Sequence, residues 1–396
     1  MPMRFDTIVI GLGAMGSGAL YQLAKAGQRV LGIEQFAPPH RFGSSHGETR
    51  ITRLACGEGP EYSQFARRSH EIWRELEAKT GNPLLVQNGL LVLSGAGKRS
   101  AGHENPRFIA TTIEAAERAG IAHELLSDAD IRKRYPAFNI LDGDYAYFEP
   151  EAGYVFPEQC IGAQLQQAIA TGAEVCTGET VTGFATADGA QVTTDRGSYT
   201  AEKIVITAGA WLPDLLPAHA PLFTARRQVL YWFRLKLGAP MQNYRPGKFP
   251  VYIWRTLSRQ SIYGFPWTGE GTPTIKIATE QYDTSTSPEA IDRTVTGSET
   301  RAMYDEYVAP YFPGASPDCD RSAVCMYTCV DKALHHRRAA GRSACHCRLA
   351  LFGPRLQAFG GDRRGAGRHR DQRQGGRAEI RSVKLRNADL ETRRHA

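Results

Sequence analysis

Three glycines near the start of the chain have the spacing of a phosphate-binding turn. Gly11, Gly13 and Gly16 form a G-x-G-x-x-G pattern, and Glu34 follows at the end of the next apolar run. In such a turn the first glycine permits the sharp bend, the second lets backbone N–H groups approach a pyrophosphate, and the third allows close helix packing. A carboxylate placed like Glu34 accepts hydrogen bonds from a ribose diol. The pattern predicts a dinucleotide site but does not distinguish FAD from NAD.

A strand, a helix and a second strand would have to hold this turn. Residues 5–36 read FDTIVIGLGAMGSGALYQLAKAGQRVLGIEQF, and the apolar run Ile8–Ile10 predicts a buried strand. After the glycines, Ala19, Leu20 and Leu23 would fall on one face of a helix. The partial positive charge at the start of that helix favours bound phosphate.

A second segment completes the expected nucleotide site from a distance. Residues 199–216, YTAEKIVITAGAWLPDLL, predict a strand at Ile204–Thr207 that ends at Ala-Gly-Ala, where Gly209 would let the backbone pass close to a ligand. Before it we expect a helix at 158–170 and strands at 174–198. A dinucleotide site rebuilt from a distant segment is typical of FAD proteins of the glutathione-reductase type.

The chain has 396 residues, which is enough for two interleaved domains. We expect an α/β fold: a glutathione-reductase-type FAD-binding Rossmann domain interleaved with an α+β substrate domain built on a mixed or antiparallel sheet. The FAD-binding domain would comprise 1–84, 150–219 and 321–396, and the substrate domain 85–149 and 220–320.

Four further motifs are more specific than the glycine pattern. They are PPHRFGSSHGETRITRLACGEG (38–59), TAGAW (207–211), YGFP (263–266) with Lys276 beyond it, and AVCMYT (323–328). In this order they resemble monomeric sarcosine oxidase and N-methyltryptophan oxidase, which are flavin amine oxidases with covalently bound FAD. The resemblance runs from about residue 5 to about residue 332. It implies oxidation of the C–N bond of a secondary amino acid, with dioxygen giving hydrogen peroxide and, from an N-methyl group, formaldehyde.

The resemblance also assigns roles within the first motif. Arg53 would hold the substrate carboxylate, which suits an Arg fork because it binds a carboxylate bidentately. Arg50 would lie by the flavin ring, His46 and Thr49 near the flavin in the active site, and Ser44 in the cofactor site. Arg50 and Arg53 would share a face if this segment were helical. Without the resemblance, structural salt bridges and a satisfied structural histidine are the alternatives.

Four residues beyond that motif receive roles in the same way. Tyr263 and Tyr327 would line the substrate pocket. Lys276 would activate oxygen, since a fixed positive charge in a low-dielectric site stabilises developing superoxide. Cys325 would form a thioether to the flavin. The alternatives are packed aromatics, a surface lysine and an inert buried thiol. Glu280 stands where the family often has a histidine, so recognition of the amine, and with it the choice of substrate, is not assigned.

The end of the chain differs from the rest in charge. Residues 333–396 hold 16 Lys and Arg against 5 Asp and Glu, which leaves 32 basic and 36 acidic residues in 1–332. The tail therefore accounts for the whole positive balance, which makes that balance weak evidence for a nucleic-acid partner. The run Cys345-His346-Cys347 lacks the distant second pair of a zinc site. We expect neither metal nor nucleic acid to bind.

Our hypothesis for the tail is a change of reading frame near Ala333. The stretches ALHHR, GPRLQ with Ala358, and EIRSVKLR can each be encoded so that a slide of one base gives Arg-Phe-Ile-Ile-Asp, Gly-His-Gly-Phe-Lys and Lys-Ser-Asp-Leu-Ser-Ser-Phe. These are sequences of the kind expected there in the family, in the right order. If this string is the translated protein, a last strand and helix of the FAD domain are missing.

The remaining expectations concern location and partners. No run approaches the roughly 20 apolar residues of a membrane span, the start lacks a signal peptide, and the eight cysteines are scattered. We expect a reduced, cytoplasmic monomer that acts on a small N-methyl amino acid and O2. The alternatives are an FAD dehydrogenase of the same fold that passes electrons to a carrier, and an inactive flavin-binding remnant.

Overall fold

The computed structural model describes residues 4–57, 59–94, 108–186, 189–256, 260–281 and 284–330. The hypothesis of a frame change near Ala333, and Cys345-His346-Cys347 with it, lie outside the described residues. No helix among these described ranges is long and apolar enough to cross a membrane.

The elements alternate between strands and helices in the first third of the chain and become mostly strands later. The strands are β1 (Arg4–Ile10), β2 (Val30–Glu34), β3 (Arg50–Thr52), β4 (Leu85–Val86), β5 (Leu90–Ser94), β6 (Glu124–Ser127), β7 (Tyr145–Glu149), β8 (Gly153–Val155), β9 (Glu174–Thr177), β10 (Val181–Ala185), β11 (Ala190–Thr194), β12 (Ser198–Ile206), β13 (Phe223–Leu235), β14 (Val251–Arg255), β15 (Ile262–Phe265), β16 (Thr274–Thr279), β17 (Ser285–Thr286) and β18 (Ala315–Val330). The α-helices are α1 (Ala14–Lys25), α2 (Ser63–Thr80), α3 (Phe108–Ala119), α4 (Asp128–Arg134), α5 (Pro157–Ala170), α6 (Leu212–Leu215) and α7 (Gly297–Met303). Short 3-10 turns at Pro60–Tyr62, Gly209–Trp211, Pro217–Leu222 and Met241–Tyr244, and a π-turn at Tyr304–Val308, complete the list.

A six-stranded sheet carries the glycine turn. Its order is β10-β11-β12-β1-β2-β9; β12, β1, β2 and β9 run parallel, whereas β10 and β11 are antiparallel to their neighbours. The sequence prediction of strand, glycine turn, helix and strand is confirmed by β1, α1 and β2. Because parallel strands end at one edge of a sheet, the carboxyl ends of β1, β2 and β12 meet there.

A nine-stranded sheet forms the second unit. Its order is β17-β13-β16-β15-β14-β5-β7-β6, with β18 paired to β13, and only β14 and β5 are parallel neighbours. The expected fold class is therefore confirmed. The expected boundary at 321 does not mark a change of sheet, because β13 has 13 residues and pairs along its length with β18, from Phe223↔Val330 to Leu235↔Ala315. Residues 321–330 thus belong to the large sheet, not to the six-stranded one.

A small antiparallel sheet has the order β3-β8-β4, and its three strands come from separate parts of the sequence. Its strand β3 starts at Arg50, so the helical arrangement considered for Arg50 and Arg53 is wrong. Arg50 lies on β3, whereas Arg53 follows the end of that strand at Thr52, so the two side chains do not share a helix face. The two arginines accordingly have different neighbours, as the site shows.

Five hydrophobic clusters pack against these sheets in the described residues, and three of them bear on the site. One covers the large sheet and is strongly aromatic: the Phe138 and Phe249 rings stack with centroids 4.5 Å apart, beside Trp254 and Phe312. A second packs α1, α2 and α5 around β1. The third joins residues of β5, β13, β15 and β18 to the segment after β3, and it contains Cys325 and Tyr327.

Candidate active site

The glycine turn after β1 tolerates no larger residue at two of its three glycines. Gly11 has a φ of +83°, and a Cβ there would lie 2.7 Å from the Thr207 carbonyl oxygen. A Cβ on Gly16 would lie 1.7 Å from the Gly11 carbonyl oxygen, so glycine is what lets α1 approach the turn. At Gly13 the nearest atom is Ser45 Oγ at 3.5 Å, which leaves the backbone accessible.

The carboxylate of Glu34 lies buried beneath this turn. Its Oε2 accepts a hydrogen bond from the Leu12 N–H at 2.7 Å, and its Oε1 accepts one from the Phe36 N–H at 3.2 Å. A carboxylate has about four acceptor positions, so two backbone bonds leave capacity for a ribose diol. The Glu34 side chain therefore braces the turn and faces the nucleotide side of the sheet edge.

A cavity of about 210 Å³ opens at this edge. The residues predicted for the cofactor that line it are Gly11, Gly13, Glu34, Ser44 and Gly209. Gly16 packs behind the turn. The cavity has side-chain-free backbone at Gly11 and Gly13, the N-terminus of α1, and the Glu34 carboxylate. These are the groups that bind the phosphates and the ribose of a dinucleotide.

Ser44 connects this cavity to the large sheet. Its hydroxyl donates to the Met326 carbonyl, and the Met326 N–H donates to the Gly43 carbonyl at 3.4 Å. The residue before Met326 is Cys325, which has no exposed surface. Residues 43–44 thus line the cofactor cavity and also bond the residue next to Cys325, the predicted site of flavin attachment.

Cys325 lies among residues of the first motif. Its Sγ is 3.2 Å from His46 Nε2 and 3.6 Å from Arg50 Nη2. Burial raises the pKa of Cys325, whereas the positive charges of Arg50 and Lys276 oppose that rise. Burial, and then the charge of Arg50, lower the pKa of His46 to about 3, so this imidazole is neutral at ordinary pH.

Arg50 and Lys276 share one acceptor, the Thr49 carbonyl. Arg50 Nη1 donates to it at 3.0 Å, and Arg50 Nη2 donates to the Ser44 carbonyl at 2.8 Å. Lys276 Nζ donates to Thr49 O at 2.8 Å, to Thr49 Oγ1 at 3.1 Å and to Gly47 O at 2.5 Å. Two buried cations therefore stand side by side against one backbone segment.

Two aromatic rings also lie close to the Lys276 ammonium. The Nζ lies 4.4 Å from the centre of the Phe265 ring and 5.3 Å from that of Trp232. Burial, and then Arg50, lower the pKa of Lys276 well below its usual range. Three oxygens nevertheless match the three N–H donors of a protonated amine, so the protonated form is the one this arrangement fits.

The two predicted pocket tyrosines contact each other. The hydroxyls of Tyr263 on β15 and Tyr327 on β18 are 2.9 Å apart, and both side chains are buried. Burial raises the pKa of each phenol. Glu280 follows β16 and its charge also raises the pKa of Tyr327, so the residue at the family's histidine position acts on this pair.

Arg53 has different neighbours from Arg50. Its guanidinium lies 5.4 Å from the centre of the Phe108 ring, and its charge lowers the pKa of Glu149. Glu149 is completely buried and accepts hydrogen bonds from Leu54 N–H at 2.6 Å, Ala55 N–H at 3.1 Å and the Tyr147 hydroxyl at 2.9 Å. Burial raises the pKa of Glu149 against these donors.

The sequence did not point to three residues that hold the site together. Glu149 and Glu158 bind backbone N–H groups of the first motif, and Trp232 binds Glu48. Glu158 follows a proline at the start of α5, which is a common position for an acidic residue. Nothing in that local sequence indicates that its carboxylate binds a distant segment. Contacts over such sequence separations leave no periodic or local pattern.

The cavity at the edge of the six-stranded sheet lies next to the buried cations Arg50 and Lys276, which is an arrangement that suits a flavin enzyme. The family described as FAD dependent oxidoreductase matches residues 6–352, so the chain belongs to it. The monomeric sarcosine oxidase of Streptomyces avermitilis is 37% identical over 329 residues, 83% of this chain and 83% of the relative. Within the family, the chain is a member of the monomeric sarcosine oxidase and N-methyltryptophan oxidase group of flavin-dependent amine oxidases.

Two further comparisons agree with this membership. The N-methyl-L-tryptophan oxidase of Yersinia pestis is 34% identical over 265 residues, 67% of this chain and 68% of the relative. The solved structure of NikD, described as an unusual amino acid oxidase, covers 82% of both chains with a TM-score of 0.68 at 23% identity, which shows a shared fold.

Proposed function

We propose that this protein oxidatively demethylates an N-methyl amino acid of the sarcosine or N-methyltryptophan type. In the overall reaction a secondary N-methyl amine, water and O2 give the primary amine, formaldehyde and H2O2. Support comes from the buried pair of cations, Arg50 and Lys276, beside the end of the cofactor cavity. Such fixed positive charges would stabilise the negative charge that develops when electrons pass from an amine to dioxygen.

The residues that would hold FAD are those at the sheet edge. Gly11 and Gly13 would face its phosphates, and Glu34 would face its ribose. Ser44 and Gly209 would form part of the remaining cavity wall. FAD supplies the two-electron oxidation of the C–N bond and the return of those electrons to oxygen. We propose Cys325 as the covalent attachment point, since its thiol lies against Arg50 at the segment that closes the cavity.

The chain's own residues would bind and orient the substrate. Arg53 is our proposed carboxylate ligand, with Glu149 as the counter-charge that keeps its guanidinium in place. Tyr263 and Tyr327 would line the pocket with their paired hydroxyls. His46, as a neutral imidazole, and Thr49 would form part of the active-site surface near the flavin. Lys276 would present its ammonium to oxygen.

The decisive experiment is an absorption spectrum of the purified full-length chain, followed by peroxide release. We expect a flavin spectrum, yellow colour that stays with acid-precipitated protein, and H2O2 with sarcosine or N-methyltryptophan. Pipecolate, a secondary amino acid without an N-methyl group, tests for amine oxidation without demethylation. A colourless precipitate would contradict the attachment at Cys325. Reduction by substrate without peroxide would favour a dehydrogenase, and no reduction by any secondary amino acid would contradict the proposed function. Gel filtration tests the proposed monomer.

A further inference from the structure

The backbone segment that holds Lys276 is itself a strained turn. Thr49 N–H donates to the Gly47 carbonyl at 2.8 Å, and the residue between them, Glu48, has a φ of +67°. A hydrogen bond between residues two apart around a positive φ marks a γ-turn of the rare, strained kind. Gly47 also has a positive φ, +99°, and a Cβ there would lie 2.4 Å from Leu230 Cδ1. Such a conformation persists only where its surroundings enforce it.

Within the described residues, the oxygens that accept hydrogen bonds from the Lys276 ammonium belong to this turn. Gly47 O, Thr49 O and Thr49 Oγ1 lie within 2.5, 2.8 and 3.1 Å of Nζ. The lysine comes from β16 in the large sheet, whereas the turn precedes β3. If the turn relaxed, its carbonyls would rotate away and the ammonium would lose its place.

Glu158 enforces the turn from one element. Its Oε1 accepts hydrogen bonds from Gly47 N–H at 2.6 Å and from Glu48 N–H at 3.1 Å. It lies in the first turn of the 14-residue helix α5, which packs in the cluster around β1. The N-terminus of α5 stabilises the Glu158 carboxylate. Because α5 packs around β1, Glu158 ties the turn to the unit that carries the six-stranded sheet.

The side chain of Glu48 anchors the turn to a second element. Its Oε2 accepts from the Trp232 indole N–H at 3.1 Å, and its Oε1 pairs with Arg321 at 2.5 Å. Trp232 and Arg321 are register partners on β13 and β18. The strained turn is thus tied to both units of the protein.

We propose that Glu158 is a positioning residue for Lys276, acting through the turn Gly47–Thr49 whose carbonyls hold the ammonium. The inference rests on the role proposed above for Lys276. It assigns Glu158 a part in the reaction with oxygen although, in the described part of the chain, its carboxylate accepts hydrogen bonds from backbone N–H groups of the turn.

The test compares Glu158→Ala and Glu158→Gln with Glu77→Ala. Glu77 is a matched control, because its carboxylate also accepts from two consecutive backbone N–H groups, those of Leu84 and Leu85, away from the site. Amide hydrogen exchange of peptides covering residues 46–50 is measured on each full chain. We expect faster exchange in Glu158→Ala, a smaller change in Glu158→Gln, which keeps an acceptor oxygen, and none in Glu77→Ala. Unchanged exchange in Glu158→Ala would overturn the proposal.

The second measurement separates the two half-reactions of the flavin-loaded chain. In Glu158→Ala we expect the reaction of reduced enzyme with oxygen to slow by about ten- to a hundredfold, the cost of a misplaced group, and anaerobic reduction by substrate to change much less. A normal oxygen reaction in Glu158→Ala beside a slow one in Lys276→Met would overturn this inference alone. A normal oxygen reaction in Lys276→Met would overturn the role proposed for Lys276 and the inference with it.

Discussion

Replacement of Glu149 gives a strong test of how the Arg53 segment is held. Glu149→Ala removes the acceptor of three buried donors, the N–H groups of Leu54 and Ala55 and the hydroxyl of Tyr147. Each buried donor left without a partner costs about 1–3 kcal/mol. The positive charge of Arg53 also acts on the Glu149 carboxyl, so the replacement removes a favourable electrostatic interaction as well. Because these terms overlap, we expect a loss of about 4 kcal/mol in the free energy of unfolding, near the upper end for single substitutions.

The size of the effect should be graded by chemistry. Glu149→Gln keeps the shape and one acceptor oxygen but turns an amide N–H toward another donor, for which we expect a loss of about 2 kcal/mol. Tyr147→Phe removes only one hydrogen bond, for which we expect about 1 kcal/mol. Glu77→Ala, nearer the surface, should also cost about 1 kcal/mol, since water can replace its carboxylate.

Urea denaturation of the full chains measures these differences as shifts of the midpoint at constant slope. Glu149→Gln should also raise the KM for the amino acid more than it lowers kcat, because Arg53 loses its counter-charge. The reasoning is refuted if Glu149→Ala loses less than Glu77→Ala, or if the three variants at 149 and 147 fail to follow the expected order.

Four other predictions follow from single features. Gly16→Ala should destabilise by about 3 kcal/mol in urea, because its methyl group would meet the Gly11 carbonyl; Gly162→Ala, with open space in α5, is the control and should not destabilise. Burial lowers the pKa of His70 from 6.5 to about 4, so the folded state binds fewer protons than the unfolded state. The contribution of His70 to stability should be fully present above pH 6.5 and fall by on the order of 3 kcal/mol down to about pH 4, so His70→Gln should make the loss of stability between pH 6.5 and pH 4 smaller than in the parent chain. Cys325→Ser should release its flavin on acid precipitation while the parent chain retains it. Sequencing of the gene across the codon for Ala333 should reveal the frame change; an intact frame that encodes the printed tail would refute it.

The parts of the fold that the sequence predicted are those built from local signals. The run Ile8–Ile10, the three glycines and the acid at Glu34 are close in sequence, and β1, α1 and β2 confirm them. The expected helix at 158–170 corresponds to α5 at Pro157–Ala170. The fold class followed from the order of such local units. The roles of the individual site residues stay predictions, although most of them lie together.

Local signals failed where long-range pairing decides the structure. Spacing alone made a helix conceivable for Arg50 and Arg53, but β3 forms because Arg50–Thr52 pairs with Gly153–Val155, about a hundred residues away. We also expected a domain boundary at 321, whereas β18 runs through that position and pairs with β13. Neither partner can be read from the segment itself.

The same limitation hid the way the first motif is held. One stretch of chain, residues 149–158, contacts it throughout: Glu149 binds the N–H groups of Leu54 and Ala55, β8 pairs with β3, and Glu158 binds the N–H groups of Gly47 and Glu48. Two carboxylates thus bracket the segment that carries both arginines, and each accepts from two consecutive backbone donors. A buried cation is stable only with nearby negative charge or well-placed acceptors. The segment 149–158 supplies charge at one end and, through the turn at Gly47, acceptors at the other, which is why the cluster of cations can exist in this interior.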